Sequence, residues 1–533
     1  MFPLFPLLVL VAGSSALASV PAVSPVTVTV FVDAARGRVP ISPWLYGRNG
    51  DLTQKGERTL SIEAGVRICR STGGNNCTKY NWRNDLSTHP DWFNNVYRQY
   101  WPEKAKAIQA TPGVDGLFGL PVLGWVAKTD KYNYPDWTLD REGKRAHDNL
   151  AGGGCVTMYL ESQTPEGSAA ILDHWFAPGG LALSATRFSL WHLDNEPDCW
   201  RGTHDDVSGT VMTGEEAVDK FVAVAREVKT RHPGIKLMAP GFASEWFWWH
   251  WSDHKFVEGL PWMEYFVKRM ADESRKFGRN LIDMVDFHIY SSYEAATDED
   301  CLNEHRLWYD PGYEFPGANG VRSYPDGWDN NRKVEMVFAR MEGWLQKHFG
   351  PGHGIGIGVT ESGLNTKKPM VWALWYASTL GVFADHGVRV FTPWYWTDPM
   401  WEVLNLWSRH AQAVRVEASC SGEPKVSCYA SVSNRGDRMT LILVNRDGAA
   451  ARSAAVSIAG FSPRPGSATV LRLADLPDKR RTFRSRNENA LKRSTVRVAA
   501  GAAGSSGAAG SSSACTVLLP AWSITAVEIA GTR

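Results

Sequence analysis

The sequence predicts a (β/α)8 barrel followed by an antiparallel β-sandwich. Three observations predict this architecture. Between residues 41 and 404, eight short apolar runs alternate with longer stretches of helical periodicity. After residue 405 the helical periodicity fades, and short runs of alternating apolar and polar residues take over. The 533 residues suffice for one large barrel, which needs about 250 residues or more, and for a smaller second domain.

The apolar runs of the first part predict the barrel strands. Most are continuously apolar, which is typical of parallel strands covered on both faces. We expect strands at Pro43–Arg48, Val66–Ser71, Leu120–Ala127, Phe188–Asp194, Lys236–Pro240, Met284–Tyr290, Gly356–Thr360 and Arg389–Trp394. The helices expected between them include Gly214–His232, Pro261–Lys276, Arg332–Phe349 and Pro369–His386. The first of these helices has Ala217, Phe221, Val224 and Val228 on one face.

The second part, residues 405–533, predicts the sandwich. We expect its strands at Ala413–Ala418, Val426–Ser433, Met439–Val444, Ala468–Leu473 and Ser523–Ile529. An alternating run, Val26–Val32, lies in residues 19–40, ahead of the barrel, and we expect it to return and pair with the sandwich. The Ala/Gly/Ser-rich segment 499–513 predicts a disordered loop of that domain.

Residues 1–18 have the pattern of a signal peptide. An apolar run, Leu4–Ala12, precedes the small-residue cleavage site Ala16-Leu17-Ala18. The run is too short to cross a membrane, and no later stretch reaches about 18 apolar residues. We therefore expect a secreted, extracellular, monomeric protein without a membrane partner.

Secretion implies an oxidising compartment, where the eight cysteines are expected to pair. The closest in sequence, Cys69–Cys77 and Cys420–Cys428, are the expected disulfides. The cysteine spacing does not match a zinc site. The segment Asn76-Cys77-Thr78 is an acceptor sequence for N-glycosylation.

Composition narrows the choice of partner. The 57 Lys and Arg balance 56 Asp and Glu, whereas a nucleic-acid-binding protein needs a basic surplus. The 24 Trp are compatible with a large core, and they also suit a cleft that stacks the apolar C–H faces of sugar rings.

The segment Trp191–Pro197 carries the first catalytic signal. It closes the predicted fourth strand and ends in Asn195-Glu196-Pro197. Catalytic groups of such barrels sit where the strands end. A carboxyl there can protonate a departing glycosidic oxygen, while an adjacent amide hydrogen-bonds the sugar 2-hydroxyl. The alternative is a surface loop in which Asn-Glu-Pro only turns the chain.

The second signal is Glu361, at the end of the predicted seventh strand. Carboxylates at the ends of strands four and seven face each other across the barrel mouth. At a separation of about 5–5.5 Å they perform double displacement with retained anomeric configuration. Glu361 would attack the anomeric carbon, and Glu196 would protonate the leaving group and then deprotonate water.

Other strand ends supply polar and aromatic side chains. Arg70 ends strand two, and Tyr290 ends strand six; near the nucleophile they would hold it ionised and oriented. His288 is either a core histidine or part of the site. Trp394 and Trp396 follow strand eight and could form the floor of a subsite. The aromatic run 246–251 is either a stacking surface or a loop that packs on itself.

At these residues the chain resembles glycoside hydrolase family 44. Arg70–Trp82 is similar to the Arg…Gly-Gly-Asn…Tyr-Asn-Trp signature of that family. Further similar segments are Ile41–Gly47, Leu123–Lys128, Asn195–Pro197, Asp286–Tyr290 and Thr360-Glu361, in the same order, so that the resemblance covers roughly residues 25–530. One extra residue between Arg70 and the Gly pair, and Ser362 where close members have Tyr, mark a divergent member.

The resemblance implies a retaining, endo-acting enzyme on β-1,4-glucans such as cellulose derivatives and xyloglucan, and sometimes on xylan or mannan. It implies Glu196 as acid/base and Glu361 as nucleophile. It implies a chemistry that requires no cofactor and it allows a structural calcium, whose ligands the sequence does not identify. The candidate residues that support substrate binding are Asn195, Arg70, Asn75, His288, Tyr290, Trp125, Trp394 and Trp396.

Three alternatives remain open at this point. One is a retaining xylanase or mannanase of the same clan. Another is an exo-acting glycosidase, whose cleft the insertions Lys128–Gly167 and Ser292–Asn330 would close at one end. The most remote is a carbohydrate-binding protein without catalytic activity, which would tolerate the loss of either glutamate.

Overall fold

The computed structural model describes residues 25–72, 74–88, 96–130, 156–204, 206–208, 212–249, 251, 257–290, 296–316, 334–499 and 514–532. These residues form a parallel eight-stranded barrel and a β-sandwich, so the predicted fold class is confirmed. The segment 1–18 and nearly all of the predicted loop at 499–513 lie outside the described residues. Among the described helices, none combines the length and the apolar character needed to span a bilayer.

Fourteen strands of the described residues precede residue 414. They are β1 (Val26–Asp33), β2 (Val39–Pro40), β3 (Gly47–Asn49), β4 (Ile68–Arg70), β5 (Leu86–Thr88), β6 (Val96–Arg98), β7 (Asp115–Leu120), β8 (Trp125–Ala127), β9 (Leu160–Ser162), β10 (Leu190–Leu193), β11 (Lys236–Phe242), β12 (Met284–Tyr290), β13 (Gly356–Gly363) and β14 (Val390–Phe391). The barrel order is β3-β4-β7-β10-β11-β12-β13-β14, and every ladder in it is parallel.

The helices of the described residues are α1 (Lys55–Ala64), α2 (Trp101–Gln109), α3 (Pro165–Phe176), α4 (Trp200–Thr203), α5 (Gly214–Arg231), α6 (Trp262–Phe277), α7 (Asp298–Asn303), α8 (Val337–Phe349), α9 (Pro369–Asp385) and α10 (Asp398–His410). The predicted helix after strand four is confirmed as α5, whose four predicted core residues are all buried. Thr213 and Glu216 form a capping box at its start, which satisfies backbone N–H groups that lack helical partners. α10 continues past the predicted domain boundary at 404/405 and ends at His410.

The predicted third strand is wrong in position. We expected Leu120–Ala127, but the barrel strand is Asp115–Leu120, and Trp125–Ala127 forms a separate two-stranded hairpin with β9. The reason is the small residues of the strand. Gly116 and Gly119 interrupt its apolar pattern, and each gives up its side-chain space to a neighbour, Phe188 and Cys77 respectively. Because side chains of other segments occupy the space beside these glycines, the strand is buried although its sequence is not a continuous apolar run.

The barrel is filled by one residue from each of six strands, with Trp44 packed against this layer. These residues are Ile68, Leu117, Leu190, Met238, Met284 and Val390. Between β3 and β14 a side chain completes the closure. The Nδ2 of Asn49 donates to the carbonyl oxygens of Thr360 (2.8 Å) and Thr392 (2.7 Å), and its backbone N–H donates to that of Pro393 (3.4 Å). Asn49 therefore ties the first strand to the last two.

The sandwich contains β15 (Val414–Cys420), β16 (Val426–Val432), β17 (Arg438–Asn445), β18 (Arg452–Ala459), β19 (Gly466–Leu473), β20 (Lys492–Val498), β21 (Cys515–Leu519) and β22 (Ser523–Ala530). β15 passes between the two layers: its first half pairs with β16 and its second half with β1. The N-terminal strand therefore joins the sandwich, as predicted. Its other partner is β18, in a parallel ladder, so that layer is mixed rather than purely antiparallel.

The predicted disulfides are wrong in this structure. Of the seven described cysteines none is bonded to another, and Cys155 lies outside the described residues. The Sγ of Cys69 faces the carbonyl oxygen of Gly50 (3.3 Å), whereas that of Cys77 fills the space beside Gly119. Cys420 lies in the half of β15 that pairs with β1, and Cys428 lies on β16.

Helix α9 connects the two domains. Fifteen of its seventeen residues are buried, and it packs against barrel elements on one side and the sandwich strands β15, β16, β17 and β22 on the other. Arg446 of the sandwich donates from Nη1 to the Ser378 hydroxyl of this helix (2.9 Å). Gly381 lies directly beneath the ring of Tyr429, at a point where a Cβ would overlap that ring. The domain contact is therefore close-packed at a glycine.

We predict that Gly381→Ala destabilises the protein by about 1–3 kcal/mol, because the added methyl overpacks the contact with Tyr429. The matched control is Gly343→Ala on α8, where a Cβ meets nothing within 4 Å. That change should leave stability unchanged or raise it by up to about 1 kcal/mol, since Ala favours helix over Gly. Urea unfolding of both variants measures the difference; equal stability would contradict the close-packed contact.

Candidate active site

Glu196 projects from a sharp turn at the carboxyl end of β10, the fourth barrel strand. Asp194 and Glu196 both have positive φ, at 56° and 44°, a conformation that costs a non-glycine residue on the order of 1 kcal/mol. The buried carboxylate of Asp194 stabilises the turn by accepting from the backbone N–H groups of Val122 (2.7 Å) and Asn195 (2.8 Å). The N–H of Glu196 donates to the carbonyl oxygen of Gly241 on β11 (3.0 Å). The turn aims Glu196 into the barrel mouth.

Glu361 lies on β13, the seventh barrel strand, and both of its carboxylate oxygens have strong donors. Arg70 Nη1 donates to Oε1 (2.6 Å), and the Tyr290 hydroxyl donates to Oε2 (2.6 Å). Burial opposes ionisation of this carboxyl, but His288, Arg70 and the Tyr290 hydroxyl outweigh it and lower the pKa of Glu361. The pKa of Tyr290 is raised, first by burial and then by Glu361, so the phenol stays a donor. The group is held as an oriented anion.

Arg70 links the two catalytic candidates. Its guanidinium is buried and contacts three side chains: Glu361, the Oδ1 of Asn195 (2.5 Å) and the Oδ1 of Asn49 (3.2 Å). Asn195 in turn donates from Nδ2 to Asn75 Oδ1 (2.8 Å). Arg70, Asn75, Asn195 and Glu361, predicted from the sequence, therefore form one network, which also includes Asn49.

The two glutamates face each other at short range. A carboxylate oxygen of Glu196, one of Glu361 and a ring nitrogen of His288 all lie within 4.8 Å of one another. His288 Nδ1 is 2.8 Å from Glu196 Oε1 and 3.7 Å from Glu361 Oε2. The Glu196 side chain is 17% exposed and that of Glu361 6%. Of the pair, Glu196 is the more accessible to solvent and Glu361 the more enclosed.

The same three side chains are the one group among the described residues whose donor atoms are close enough to share a metal ion. Their donor atoms already have protein partners: Glu361 has Arg70 and Tyr290, and Glu196 has His288. A guanidinium at 2.6 Å supplies the positive charge that a cation would bring. The arrangement suits acid–base and nucleophilic chemistry. The structural calcium allowed by the sequence stays a prediction.

Aromatic residues of the eighth strand end differ in their position. Trp394 lies over Gly74, whose Cβ position is 3.1 Å from the Trp394 ring and 3.8 Å from Glu361 Oε1. It therefore lies close to Glu361. Tyr395, which we did not predict, is 49% exposed and packs edge-on against Tyr290 with ring centroids 6.2 Å apart. Trp394 and Tyr395 are the aromatic surfaces next to Glu361.

Two predicted tryptophans lie elsewhere. Trp396 packs against Trp401 and Tyr376, under the Arg48 guanidinium, and is part of the layer between barrel and helices. Trp125 lies on the β8–β9 hairpin, half-buried against a small separate apolar cluster. In a continuing strand Trp394 and Trp396 would point to the same side. The strand ends at Phe391, so this rule no longer holds there and the two side chains diverge.

Three tryptophans of the aromatic run 246–251 pack inside the protein. Trp248, Trp249 and Trp251 are buried, and Trp248 packs edge-on against Phe287 and Trp344. Of the two interpretations that the sequence left open, packing is therefore the one observed for these three residues.

Four polar residues of the site were not predicted from the sequence. Asn49 is opposite Arg70 in the β3–β4 register, and a polar residue ending the first strand was the signal available. Thr360 and Asp286 hydrogen-bond to each other behind His288. Asp198, two residues after Glu196, is buried, and its Oδ2 accepts the N–H of Ala243 (3.0 Å). Carboxylates and hydroxyls that contact other side chains of the site, and not the cleft itself, are not marked by a recognisable sequence pattern.

Fold and site together define a class of protein. A (β/α)8 barrel with facing glutamates at the ends of its fourth and seventh strands is the architecture of a glycoside hydrolase. Residues 85–293, about two fifths of the chain, match the family model of glycoside hydrolase family 44. Over these residues the chain is similar to that family, and the resemblance predicted from the sequence is confirmed.

Individual relatives are distant. The chain is 22% identical over 477 residues to the "Beta-mannanase/endoglucanase A" of Caldicellulosiruptor saccharolyticus; the match covers 79% of this chain but 34% of that protein. The crystal structure of CelM2, a bifunctional glucanase-xylanase protein from a metagenome library, superposes with a TM-score of 0.76 at 20% identity, covering 96% of this chain and all of the other. A Paenibacillus polymyxa xyloglucanase from family 44 gives 0.71 at 18% identity, covering 95% of this chain and all of the other. These similarities establish the shared fold.

We predict that Asp198→Asn makes the stability of the protein less dependent on pH between about 4 and about 8. Burial, and then the charge of Glu196, raise the pKa of Asp198 to about 8. A carboxyl whose pKa is raised by folding stabilises the fold below its unfolded value of about 4. Wild type should lose up to about 1.4 kcal/mol per pH unit from about pH 4 to about pH 8 through this group, and the neutral amide should not.

The measurement is the free energy of unfolding of both proteins at several pH values between 4 and 9. The difference between the two curves cancels the titrating groups that do not interact with Asp198. Parallel curves would show that Asp198 is not buried as a neutral acid.

Proposed function

We propose that this protein is a secreted, retaining glycoside hydrolase that cleaves β-1,4-linked glucans within the chain by double displacement. The observation that carries the proposal is the approach of the Glu196 and Glu361 carboxylate oxygens to within 4.8 Å. Retaining enzymes hold the two carboxyl groups about 5–5.5 Å apart, and inverting enzymes about 6.5–9.5 Å apart to admit a water molecule. The short separation favours direct attack by a carboxylate.

The environments of the two glutamates favour different roles. Glu361 is buried and oriented by Arg70 and Tyr290, and its lowered pKa keeps it ionised and ready to attack the anomeric carbon. Glu196 is more exposed and has one hydrogen-bonding neighbour, His288, which leaves an oxygen free to reach the glycosidic oxygen. In the second step Glu196 takes a proton from water, whose oxygen attacks the anomeric carbon and releases Glu361.

Asn195 supports the sugar beside the scissile bond. Its Oδ1 accepts from Arg70, and one hydrogen of its Nδ2 is donated to Asn75. An amide nitrogen carries two hydrogens, so one stays available for the sugar 2-hydroxyl. A hydrogen bond to that hydroxyl strengthens in the transition state.

The choice of a β-1,4-glucan rests on what the relatives are called and on the exposed aromatic surface. The names of the relatives include endoglucanase, glucanase-xylanase and xyloglucanase. Trp394 and Tyr395 offer ring faces to the apolar sides of glucose units. Xylan and mannan are the second candidates, because two of the relatives carry those activities in their names. Secretion rests on the pattern of residues 1–18.

We predict that Glu361→Ala abolishes hydrolysis of cellulose derivatives, lowering kcat by at least about 10⁴-fold, because no other carboxylate takes its place. Wild type should release a first product with retained β-configuration. Proton NMR of the anomeric signal measures this configuration. Glu196→Gln is the companion variant: it should lose activity on polysaccharide and keep much of it on aryl glycosides that leave without protonation. An inverted first product would overturn double displacement.

We predict that wild type acts on carboxymethylcellulose and xyloglucan faster than on xylan or mannan, and that it works from within the chain. Endo action lowers the viscosity of a polymer solution steeply for each reducing end released. A panel of the four polysaccharides, scored for viscosity, reducing ends and product length, provides the measurement. Release of monosaccharide alone would show exo action and contradict the endo prediction. A preference for xylan or mannan would contradict the proposed substrate.

A further inference from the structure

Behind Glu196 lies a chain of hydrogen bonds that ends at a second buried carboxylate. Glu196 Oε1 is 2.8 Å from His288 Nδ1, and His288 Nε2 is 3.0 Å from the Thr360 hydroxyl. That hydroxyl donates to Asp286 Oδ2 (2.7 Å), whose other oxygen accepts the Thr360 N–H (3.1 Å). His288, Thr360 and Asp286 are each at most 1% exposed. The chain runs away from the cleft into the barrel.

The backbone of β11 approaches this chain of hydrogen bonds at Gly241. A Cβ on Gly241 would come within 3.5 Å of Asp286 Oδ2, 3.7 Å of His288 Nε2 and 3.9 Å of the Asn195 Cα. A bulge in β11 at this residue brings the backbone over the group, with φ at +70°. The β11 backbone therefore covers one side of His288 and Asp286.

The donors and acceptors fix the direction of each bond. An ionised carboxylate can only accept, so the Thr360 hydroxyl hydrogen points to Asp286. The hydroxyl oxygen must then accept from His288, which places a hydrogen on Nε2. The Nδ1 that faces Glu196 is left with either a lone pair or a second hydrogen. One proton is thus shared between Glu196 and His288.

We infer that Asp286 and Thr360 are positioning residues that act through His288: they fix Nε2 as its protonated nitrogen, so that Nδ1 and Glu196 share the single proton that is passed to the departing glycosidic oxygen. This inference rests on the proposed function. The inference adds that Asp286 and Thr360, which do not touch the sugar, control where the acid's proton lies.

The step balances in atoms and charge. Glu361 attacks the anomeric carbon while the bond to the glycosidic oxygen breaks, and the shared proton moves to that oxygen. Glu196 is then ionised and His288 neutral, with its hydrogen still on Nε2. In the second half a water proton returns to the Glu196–His288 pair as the water oxygen replaces Glu361 on the sugar.

The electrostatics around His288 agree with proton sharing. Burial opposes a charged ring, but Glu361, Glu196 and Asp286 outweigh it and raise the pKa of His288. The other ionisable groups that face it are Arg70 on β4, Asp198 after the Glu196 turn, and His192 on β10, whose pKa is lowered by burial so that it stays neutral. A neutral His288 accepts from protonated Glu196, and a charged one donates to its carboxylate.

The decisive variant is Asp286→Asn. The amide oxygen is expected to keep the Thr360 N–H, so its NH2 faces the Thr360 hydroxyl and donates to it. The hydroxyl hydrogen then turns to His288 Nε2, and the ring must carry its hydrogen on Nδ1. That hydrogen is donated to Glu196 and holds it as a carboxylate, which cannot protonate a leaving group.

The expected result is a selective loss. For Asp286→Asn, kcat/KM on cellohexaose should fall roughly tenfold to a hundredfold, within the range that general acid catalysis supplies. On 2,4-dinitrophenyl β-cellobioside, whose leaving group needs no proton, it should change less than about threefold. Equal losses on both substrates would show a merely structural role and overturn the inference.

A second pair of variants covers the case in which Asp286→Asn does not fold. Thr360→Val removes the hydroxyl with little change in shape, and Thr360→Ser keeps it. The valine variant should show the same selective loss, and the serine variant should retain activity on both substrates. If serine and valine behave alike, the hydroxyl does not carry the effect.

A measurement independent of activity separates this inference from the proposed function. In the protein with ¹⁵N-labelled histidine, the His288 signals are assigned by their absence in His288→Gln. Wild type should show a hydrogen on Nε2, and Asp286→Asn should move it to Nδ1. A hydrogen on Nδ1 alone in wild type would overturn the inference even in an active enzyme. If Asp286→Asn moves the hydrogen to Nδ1 but wild type does not hydrolyse β-glucans, the inference stands and only the substrate in the proposed function is wrong.

Discussion

The site depends on one buried guanidinium. His288 and Arg70 lower the pKa of Glu361, and Arg70 also donates hydrogen bonds to the carbonyl oxygens of the Asn195 and Asn49 side chains. A buried arginine without an anion would be unfavourable by several kcal/mol, and so would a buried glutamate without a cation. Each therefore requires the other. Because Asn195 precedes Glu196 in the chain, a single cation contacts both Glu361 and the turn that presents Glu196.

The seam of the barrel shows how closely fold and site are joined. Asn49 holds β3 against the last two strands through its amide hydrogens and holds Arg70 through its amide oxygen. The group that completes the cylinder is thus also a neighbour of the catalytic network. Loosening the seam would shift Arg70, and through it Glu361, without any change at the residues that touch the sugar.

The sequence was most informative where a pattern is local. Strand ends with Glu196, Glu361, Arg70 and Tyr290 could be found because each follows an apolar run, and the barrel rule places such ends together. Positions set by packing were not predictable in the same way. The third strand was displaced because its glycines are filled by Phe188 and Cys77, which are distant in the chain. Trp396 was misplaced because the side to which it points depends on where the strand stops.

The turn that presents Glu196 has a consequence for evolution and engineering. Asp194 and Glu196 hold backbone conformations that glycine adopts at no cost, and a glycine at 196 would relieve the backbone while removing the carboxyl. In the proposed reaction this strained position holds the acid, so relief of the backbone and turnover exclude each other at residue 196.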